Sequence, residues 1–233
     1  MEDVFRFILI IILSYLVGSF PTAVMVSKKF HGFDIREKGS GNMGSTNAFR
    51  LLGWKWGLTV QIIDVFKGIF AVTIIAYLLG RDLNLGKLTW LEDFTLVKMI
   101  AGFSAIAGHI WSFFVNFKGG KGINTAAGML IGIVPIDVSI GVGIFLIVVV
   151  LSGFISLGSI SAAIAIPLSL LIRYNIFHIQ VPGYHILIVF LLIVMGLVIY
   201  THRKNVVRLF NGTENRFSKL QLIKCKSSSQ SKA

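Results

Sequence analysis

The chain has 233 residues, of which 55% are apolar and 14% charged, and its mean hydropathy is +0.82. An ordinary soluble domain is about a quarter charged, so this composition excludes that class and indicates a helical protein of the bilayer. The net charge of +12 lies in short segments beside apolar runs. That distribution excludes a nucleic-acid-binding surface and fits the excess of Lys and Arg in cytoplasmic loops.

Seven apolar segments are predicted to cross the membrane as helices. The first follows two acidic residues and precedes Lys28 and Lys29, which favours a retained helix with its N-terminus outside over a signal peptide. Eight Lys and Arg residues in the C-terminal segment are expected in the cytoplasm. The chain must therefore turn near Gly132 and Pro135 to give an odd number of spans. The predicted spans are 4–27, 56–79, 96–115, 122–134, 137–151, 155–173 and 184–201.

This topology predicts a single all-α integral membrane domain over residues 1–224, with the motif loops and the C-terminus in the cytoplasm. Residues 225–233 form a basic, serine-rich tail that is predicted to be disordered. The helix predicted over 122–134 rises only about 20 Å. It needs a tilt or a locally thin bilayer to cross.

The first cytoplasmic segment, GSGNMGSTNAFR, runs from Gly39 to Arg50. Its glycines match GxGxxG formally, but a membrane helix precedes them where a dinucleotide-binding unit needs a strand. Glycine backbone N–H groups, hydroxyl and amide side chains and an arginine are nevertheless suited to binding a phosphate. The alternative is a flexible interhelical loop with helix caps at Ser45 or Thr46.

Two other segments carry basic groups at the ends of apolar runs. The KGGKG sequence that begins at Lys118 combines two lysines with glycines and a helix start, a combination that favours anion binding without the Walker A spacing. His202 and Asn205 are three residues apart, so on a continuing helix they share a face that can hold a polyol or a phosphate. The alternatives are a basic turn at the membrane edge and a juxtamembrane anchor.

The positions of the other ionisable residues indicate structural roles. Asp64 and Lys67 lie inside the second span, where such residues are usually paired, and they are predicted to brace the site as an ion pair. His31, His178 and His185 are isolated. No group of His, Cys, Asp and Glu has the spacing of a metal site, so neither a metal nor a cofactor is expected.

Five segments together resemble the motif series of the bacterial acyl-phosphate-dependent glycerol-3-phosphate acyltransferases, the PlsY family. In chain order they are GSGNMGSTNAFR, DVFKG, GHIWSFFVNFKGGKG, SLGSI and HRKNVVRLFNGTEN. The resemblance implies a seven-helix enzyme of the bacterial cytoplasmic membrane whose active site faces the cytoplasm. It would move a fatty acyl group from acyl phosphate to the sn-1 hydroxyl of glycerol 3-phosphate, giving lysophosphatidic acid and phosphate in the first step of phospholipid synthesis.

The implied partners are these two substrates and membrane lipid, with no nucleic acid. The resemblance also implies a functional link to the soluble enzyme that makes acyl phosphate from acyl carrier protein. It implies, further, that the acyl chain lies in a groove between helices that opens to lipid.

Position by position, the resemblance also implies site residues. The expected ligands of glycerol 3-phosphate are Ser40, Arg50, Lys118, Lys121, His202 and Asn205. Which of the two lysines is the main phosphate ligand stays open. The residues expected to hold acyl phosphate are Gly41, Asn42, Gly44, Thr46, Asn47, Gly119 and Gly120. Catalytic contributions are expected from Ser40, Asn42, Asn47 and Lys121. The chain departs from the family at Ser45, often Ala, and at Gly153 and Phe154, where the third motif often has Arg-Tyr.

The reaction needs little covalent catalysis by the protein. Acyl phosphate is a mixed anhydride with a good leaving group, so positioning and charge neutralisation can supply most of the rate. Ser40 is then a ligand and not a nucleophile, and the resemblance implies that the donor's own phosphate takes the proton. No histidine is followed five positions later by aspartate, so the HxxxxD acyltransferases that use thioesters are not matched.

Two other classes of membrane protein stay open. A transporter of a phosphorylated anion would combine helices with basic groups, but its polar site is expected near the midplane of the bilayer. A non-catalytic lipid-binding or scaffolding protein would explain the helices without the ordered motifs.

Overall fold

The computed structural model describes residues 2–83, 93–181 and 183–216, and all regular elements in these ranges are helical. The predicted all-helical class is confirmed. Short 3-10 turns lie at Ile35–Glu37 and Phe113–Val115, and a π-helical turn lies at Ala71–Ile75. The α-helices are α1 (Glu2–Ser19), α2 (Thr22–His31), α3 (Ser45–Leu51), α4 (Trp54–Phe70), α5 (Ala76–Gly80), α6 (Asp93–Ile110), α7 (Ile123–Ile131), α8 (Pro135–Ser152), α9 (Ile155–Asn175), α10 (Tyr184–Thr201) and α11 (Arg203–Phe210).

Six helical segments in the described ranges are long and apolar enough to cross a membrane, one fewer than the seven predicted. They are Glu2–His31, Trp54–Gly80, Phe94–Val115, Pro135–Ser152, Ile155–Asn175 and Tyr184–Thr201. The predicted helix over 122–134 is α7, whose nine residues rise about 14 Å. The residues after α7 form a turn that leads to Pro135, the first residue of α8. The helix begins there because proline is well suited to the first turn of a helix.

The first predicted span is broken in two. The α1 helix ends at Ser19 and α2 begins at Thr22, because Pro21 has no N–H to continue the ladder. The Lys67 ammonium of α4 donates to the Phe20 carbonyl at 2.5 Å. A lysine inside the second span thus binds a carbonyl at the break and keeps it partnered within apolar surroundings.

Glycines bring helix backbones together where α7 meets α4. A Cβ at Gly68 would lie 2.1 Å from the Thr125 carbonyl oxygen, and one at Gly128 would lie 1.9 Å from the Val65 carbonyl oxygen. Small residues of this kind are typical of helix contacts in membranes, where close approach supplies the van der Waals attraction. The short α7 helix is thus packed directly on α4.

The far ends of α8, α9 and α10 are joined by polar and aromatic contacts. Asp137 in α8 is fully buried and accepts hydrogen bonds from Ser169 at 2.7 Å and from the Arg173 guanidinium at 2.6 Å. The rings of Tyr174 and Tyr184 stack with centroids 3.6 Å apart. These contacts fix the end of the bundle opposite the polar cavity described next.

Candidate active site

A cavity of about 390 Å³ lies where α3, α7, α9 and α11 approach one another. Residues from all five segments of the predicted motif series line it. The predicted residues that line it are Ser40, Asn42, Gly44, Thr46, Asn47, Arg50, Lys121, His202 and Asn205. The structure does not bring Gly41, Lys118, Gly119 or Gly120 to its wall.

Asn47 holds the first motif loop in place. Its amide nitrogen donates to the carbonyls of Ile35 and Lys38, each at 3.1 Å, and its amide oxygen accepts from the Ser40 N–H at 3.0 Å. The side chain is 1% exposed. These bonds engage both ends of the amide, so Asn47 holds the Ser40 backbone at the cavity wall.

Gly39 is required by the same arrangement. Its φ of +61° lies in the left-handed region, and a Cβ there would stand 2.4 Å from the Asn47 amide oxygen. A side chain at this position would therefore meet both backbone strain and a steric clash. The glycine allows the loop to close over Asn47.

The two lysines of the KGGK run occupy different environments. Lys121 lines the cavity and its ammonium donates to the Asn205 amide oxygen at 2.5 Å, whereas Lys118 is exposed to solvent. Burial lowers the pKa of Lys121 to about 8. The geometry therefore favours Lys121 as the lysine that meets an anion in the cavity.

The glycines between these lysines serve close packing. The Gly119 N–H donates to the Ile110 carbonyl at 3.0 Å and the Gly120 N–H donates to the His109 carbonyl at 2.9 Å. A Cβ at Gly120 would lie 2.2 Å from the His109 Nε2 atom. These N–H groups complete the end of α6, so each already donates to a carbonyl of the chain.

His202 meets the cavity as a neutral ring. Its Nδ1 atom lies 2.9 Å from the Val198 carbonyl oxygen, and since a carbonyl can only accept, Nδ1 carries the proton and Nε2 has a free lone pair. Burial, together with the nearby Lys121 charge, lowers the pKa of His202 to about 4. At neutral pH this ring is therefore a hydrogen-bond acceptor and not a cation.

Glu214 is a cavity residue for which sequence analysis predicted no role. Its carboxylate accepts from Ser156 at 2.8 Å, from Asn205 at 2.6 Å and from the Arg208 guanidinium at 2.7 Å. Burial acts to raise the pKa of Glu214, but these hydrogen bonds outweigh it and the pKa is lowered. The available signal was the spacing of Asn205 and Arg208, which places both on one face of a helix.

Among the described residues that line the cavity, Arg50 is the second cation without a carboxylate partner, since Arg208 is paired with Glu214. One guanidinium nitrogen donates to the Asn215 carbonyl at 3.3 Å. Burial lowers the pKa of Arg50 from its usual value, yet a guanidinium stays charged at neutral pH. Arg50 and Lys121 thus give the cavity its capacity for anions.

A buried polar cluster lies against the cavity on the α4 side. The predicted ion pair forms, with the Lys67 ammonium 2.6 Å from the Asp64 carboxylate, and the Thr22 hydroxyl donates to the same oxygen at 3.2 Å. The His109 Nδ1 atom lies 3.9 Å from this oxygen. Asp64 and His109 also line the cavity, so this cluster braces its wall.

Where the third motif departs from the expected Arg-Tyr, the structure uses other residues. Gly153 ends α8 in the left-handed region at φ +75°, a conformation that glycine adopts without strain. The Arg216 guanidinium lies 5.0 Å from the centroid of the Phe154 ring, within the range of a cation–π contact. A positive charge therefore stands beside this motif although its own arginine is missing.

Comparison with known proteins identifies the family. The profile described as glycerol-3-phosphate acyltransferase matches residues 8–212. The glycerol-3-phosphate acyltransferase of Chlorobaculum tepidum is 46% identical over 228 residues, covering 91% of this chain and 97% of that protein. The corresponding enzyme of Chlorobaculum parvum is also 46% identical, with the same coverage.

The chain belongs to the glycerol-3-phosphate acyltransferase family.

A solved structure agrees with this assignment. The crystal structure of PlsY, an integral membrane glycerol 3-phosphate acyltransferase in its glycerol 3-phosphate form, is similar with a TM-score of 0.74 and 33% identity, covering 92% of this chain and 96% of that chain. The predicted resemblance to the PlsY family is confirmed. The protein is an integral membrane acyltransferase of glycerol 3-phosphate, an activity of phospholipid biosynthesis.

The acyltransferase also has an apolar groove of about 260 Å³ that adjoins the polar cavity. Its walls come from α7, α8, α9 and α10, with residues such as Leu130, Val142, Ile166 and Val194. Residues that line both spaces mark the junction: Gln61, Ile123, Asn124, Phe145, Leu146 and Ser159. A hydrocarbon chain is chemically suited to the groove and a phosphate to the cavity.

Proposed function

We propose that this acyltransferase uses acyl phosphate as its donor and the sn-1 hydroxyl of glycerol 3-phosphate as its acceptor, giving lysophosphatidic acid and phosphate. The observation that carries the proposal is a cation-bearing cavity that shares wall residues with an apolar groove. An acyl phosphate has these two parts, joined at a carbonyl. The PlsY structures named for their glycerol 3-phosphate and lysophosphatidic acid forms support the same acceptor and product.

The cavity residues differ in the charge and the hydrogen-bonding groups that they offer to the substrates. Arg50 and Lys121 neutralise the phosphate of glycerol 3-phosphate, while Asn205 and the Ser40 hydroxyl add neutral donors. The His202 Nε2 atom accepts from a glycerol hydroxyl. Around the acyl phosphate we assign ligand roles to Asn42, Gly44 and Thr46. We assign supporting roles to four residues outside the cavity wall: Gly41, Lys118, Gly119 and Gly120.

In the reaction, the sn-1 hydroxyl oxygen attacks the acyl carbon and forms a C–O bond, moving the carbonyl electron pair onto oxygen. Collapse of this intermediate re-forms the carbonyl and breaks the bond to the phosphate oxygen, so phosphate leaves with the electron pair. The hydroxyl proton passes to a phosphate oxygen. His202, with a pKa of about 4, is a weak base compared with a phosphate whose second pKa is about 6.

The proposed donor can be distinguished from a thioester donor by turnover. A thioester such as palmitoyl-CoA brings a bulky leaving group and no phosphate directly on the acyl carbon, so we expect it to be a poor donor. Turnover with palmitoyl-CoA comparable to that with palmitoyl phosphate would overturn the donor assignment.

We also propose seven crossings, with the cavity facing the cytoplasm of a bacterial inner membrane. Lys121 before α7 and Ser156 in the first turn of α9 both line the cavity, whereas Asp137 in the first turn of α8 pairs with Arg173 near the far end of α9. The α7 helix and its following turn therefore connect the two ends of the bundle. The N-terminus then lies outside, and a soluble acyl-phosphate-forming enzyme has access to the cavity.

The central experiment measures phosphate release from palmitoyl phosphate by the purified protein in lipid bilayers, with and without glycerol 3-phosphate. We expect release that requires glycerol 3-phosphate and collapses in Arg50→Ala. Lys204→Ala is the matched control, because Lys204 is an exposed cation of α11 outside the cavity wall. Absence of release, with binding or uptake of glycerol 3-phosphate intact, would favour the transporter instead.

A further inference from the structure

Ser45 and Asn124 form a polar contact beside the junction between the polar cavity and the apolar groove. Asn124 in α7 lines both spaces, and Ser45 at the start of α3 lines the polar cavity. The Asn124 amide nitrogen donates to the Ser45 hydroxyl oxygen at 2.9 Å. Ser159, another polar residue of the junction, donates instead to the Ile155 carbonyl of its own helix at 3.0 Å. The Ser45–Asn124 pair differs from Ser159 because its hydrogen bond connects two helices, α3 and α7, across the site.

The contact leaves the Ser45 hydroxyl with a proton to donate. A serine oxygen has two lone pairs and one O–H, and the Asn124 amide occupies a lone pair. Within the described ranges no acceptor is assigned to the Ser45 O–H. A hydroxyl that accepts one hydrogen bond is polarised and donates another more strongly. Ser45 is therefore a held donor at the wall of the cavity.

The acyl carbonyl of the donor must lie near the same junction. If the phosphate occupies the polar cavity and the hydrocarbon occupies the groove, the carbonyl that joins them lies where the two spaces meet. This step rests on the proposed donor. The carbonyl oxygen gains negative charge when the glycerol hydroxyl attacks, and a donor already held in place stabilises that charge without reorganisation.

We propose that the Ser45 hydroxyl, held by Asn124, donates a hydrogen bond to the acyl carbonyl oxygen and stabilises the oxyanion of the transfer step. Ser45 neither gains nor loses a proton. Ser45 is distinct from the phosphate ligands, because its hydroxyl contacts the carbonyl oxygen of the acyl group. Asn124 is a positioning residue that acts through Ser45.

Kinetics of three variants test this role. We expect Ser45→Ala to lower kcat by about tenfold, the effect of losing one hydrogen bond in the transition state, with KM for glycerol 3-phosphate unchanged. Ser45→Thr keeps a hydroxyl and should restore most of the rate. Ser139→Ala is the control, because the Ser139 hydroxyl donates to the Pro135 carbonyl of its own helix at the far end of α8. A rise in KM with unchanged kcat would overturn the proposal.

A spectroscopic measurement separates this role from a structural one. The probe is palmitoyl phosphonate with a ¹³C-labelled carbonyl, which cannot be transferred, examined by isotope-edited infrared spectroscopy. We expect the bound carbonyl band at lower wavenumber in the native protein and in Ser45→Thr than in Ser45→Ala, with Asn124→Ala between them. Equal bands in the native protein and Ser45→Ala would overturn the proposal.

Turnover of palmitoyl phosphate by the native protein is measured beside these variants. If the native protein does not use this donor, the proposed function and the role of Ser45 both fail. If it does, and the carbonyl band is insensitive to Ser45, only the role of Ser45 fails.

Discussion

At the scale of single residues, the cavity works through the protonation states that burial imposes. Lys121 is the clearest case, because burial lowers its pKa to about 8 and an anion needs its charged form. In the free enzyme the charged fraction falls as pH rises through about 8. We therefore expect kcat/KM for glycerol 3-phosphate to fall over that range, since this ratio reports the free enzyme.

Two comparisons check this assignment. Lys121→Arg should remove the decline, because a guanidinium stays charged over the range. In the substrate complex the bound phosphate favours the charged lysine, so the corresponding decline in kcat should lie at higher pH. A decline that persists unchanged in Lys121→Arg would assign it to another group.

Asn47 gives a second prediction at this scale. Its amide makes three hydrogen bonds to the first motif loop while 1% exposed. Replacement by Ala removes all three bonds and leaves the Ser40 N–H without this acceptor, a loss of about 1–3 kcal/mol. We expect Asn47→Ala to lower both thermal stability and kcat/KM. Stability equal to that of the native protein, with KM alone affected, would favour the direct ligand role predicted from sequence.

At the scale of elements, the contact between α4 and α7 depends on glycine. A Cβ at Gly128 would lie 1.9 Å from the Val65 carbonyl oxygen, whereas a Cβ at Gly143 in α8 meets no atom within 4 Å. Overpacking of a tight contact costs about 1–3 kcal/mol. We expect Gly128→Ala to lower the melting temperature in lipid or detergent and Gly143→Ala to leave it equal or higher. Similar effects of the two changes would contradict the packing role.

The same contact affects function, because α7 carries Asn124 to the cavity and follows directly after Lys121. Displacement of α7 from α4 would move both residues relative to Arg50. A loss of turnover is thus expected to accompany the loss of stability in Gly128→Ala. The short helix therefore contributes by placing residues at the cavity.

At the scale of the whole molecule, the number of crossings decides which side each terminus occupies. Six crossings put the two termini on the same side of the membrane, and seven put them on opposite sides. Cys225 is the only cysteine in the chain. With an impermeant maleimide, we expect Cys225 to react in inverted membrane vesicles and not in intact spheroplasts.

The N-terminus is tested with Glu2→Cys in a Cys225→Ser background. We expect this cysteine to react in intact spheroplasts, because the proposed seventh crossing, α7, puts the N-terminus outside. Labelling of both positions from the same side would exclude an odd number of crossings. Activity of both proteins is the control that the native fold is kept.

The amino-acid sequence by itself determined the class of this protein. Apolar runs of about 20 residues require helices in the bilayer, because backbone groups in hydrocarbon must be paired within the chain. The last span, 184–201, was predicted with the bounds of α10, since Tyr184 and Thr201 lie at the ends of a continuous apolar run. The ordered motifs likewise identified the family, and nine of the thirteen site residues that they predicted line the cavity.

The tertiary structure decided what depends on contacts between distant segments. Lys118 and Lys121 are equivalent in a local pattern, and only the position of Asn205, 84 residues away, distinguishes them. The N–H groups of Gly119 and Gly120 donate to carbonyls at the end of α6, because the segment after α6 folds back onto that helix end. The pairing of Ser45 with Asn124 depends on how α3 meets α7, which hydropathy and spacing do not encode. These features follow from packing, so only the folded chain reveals them.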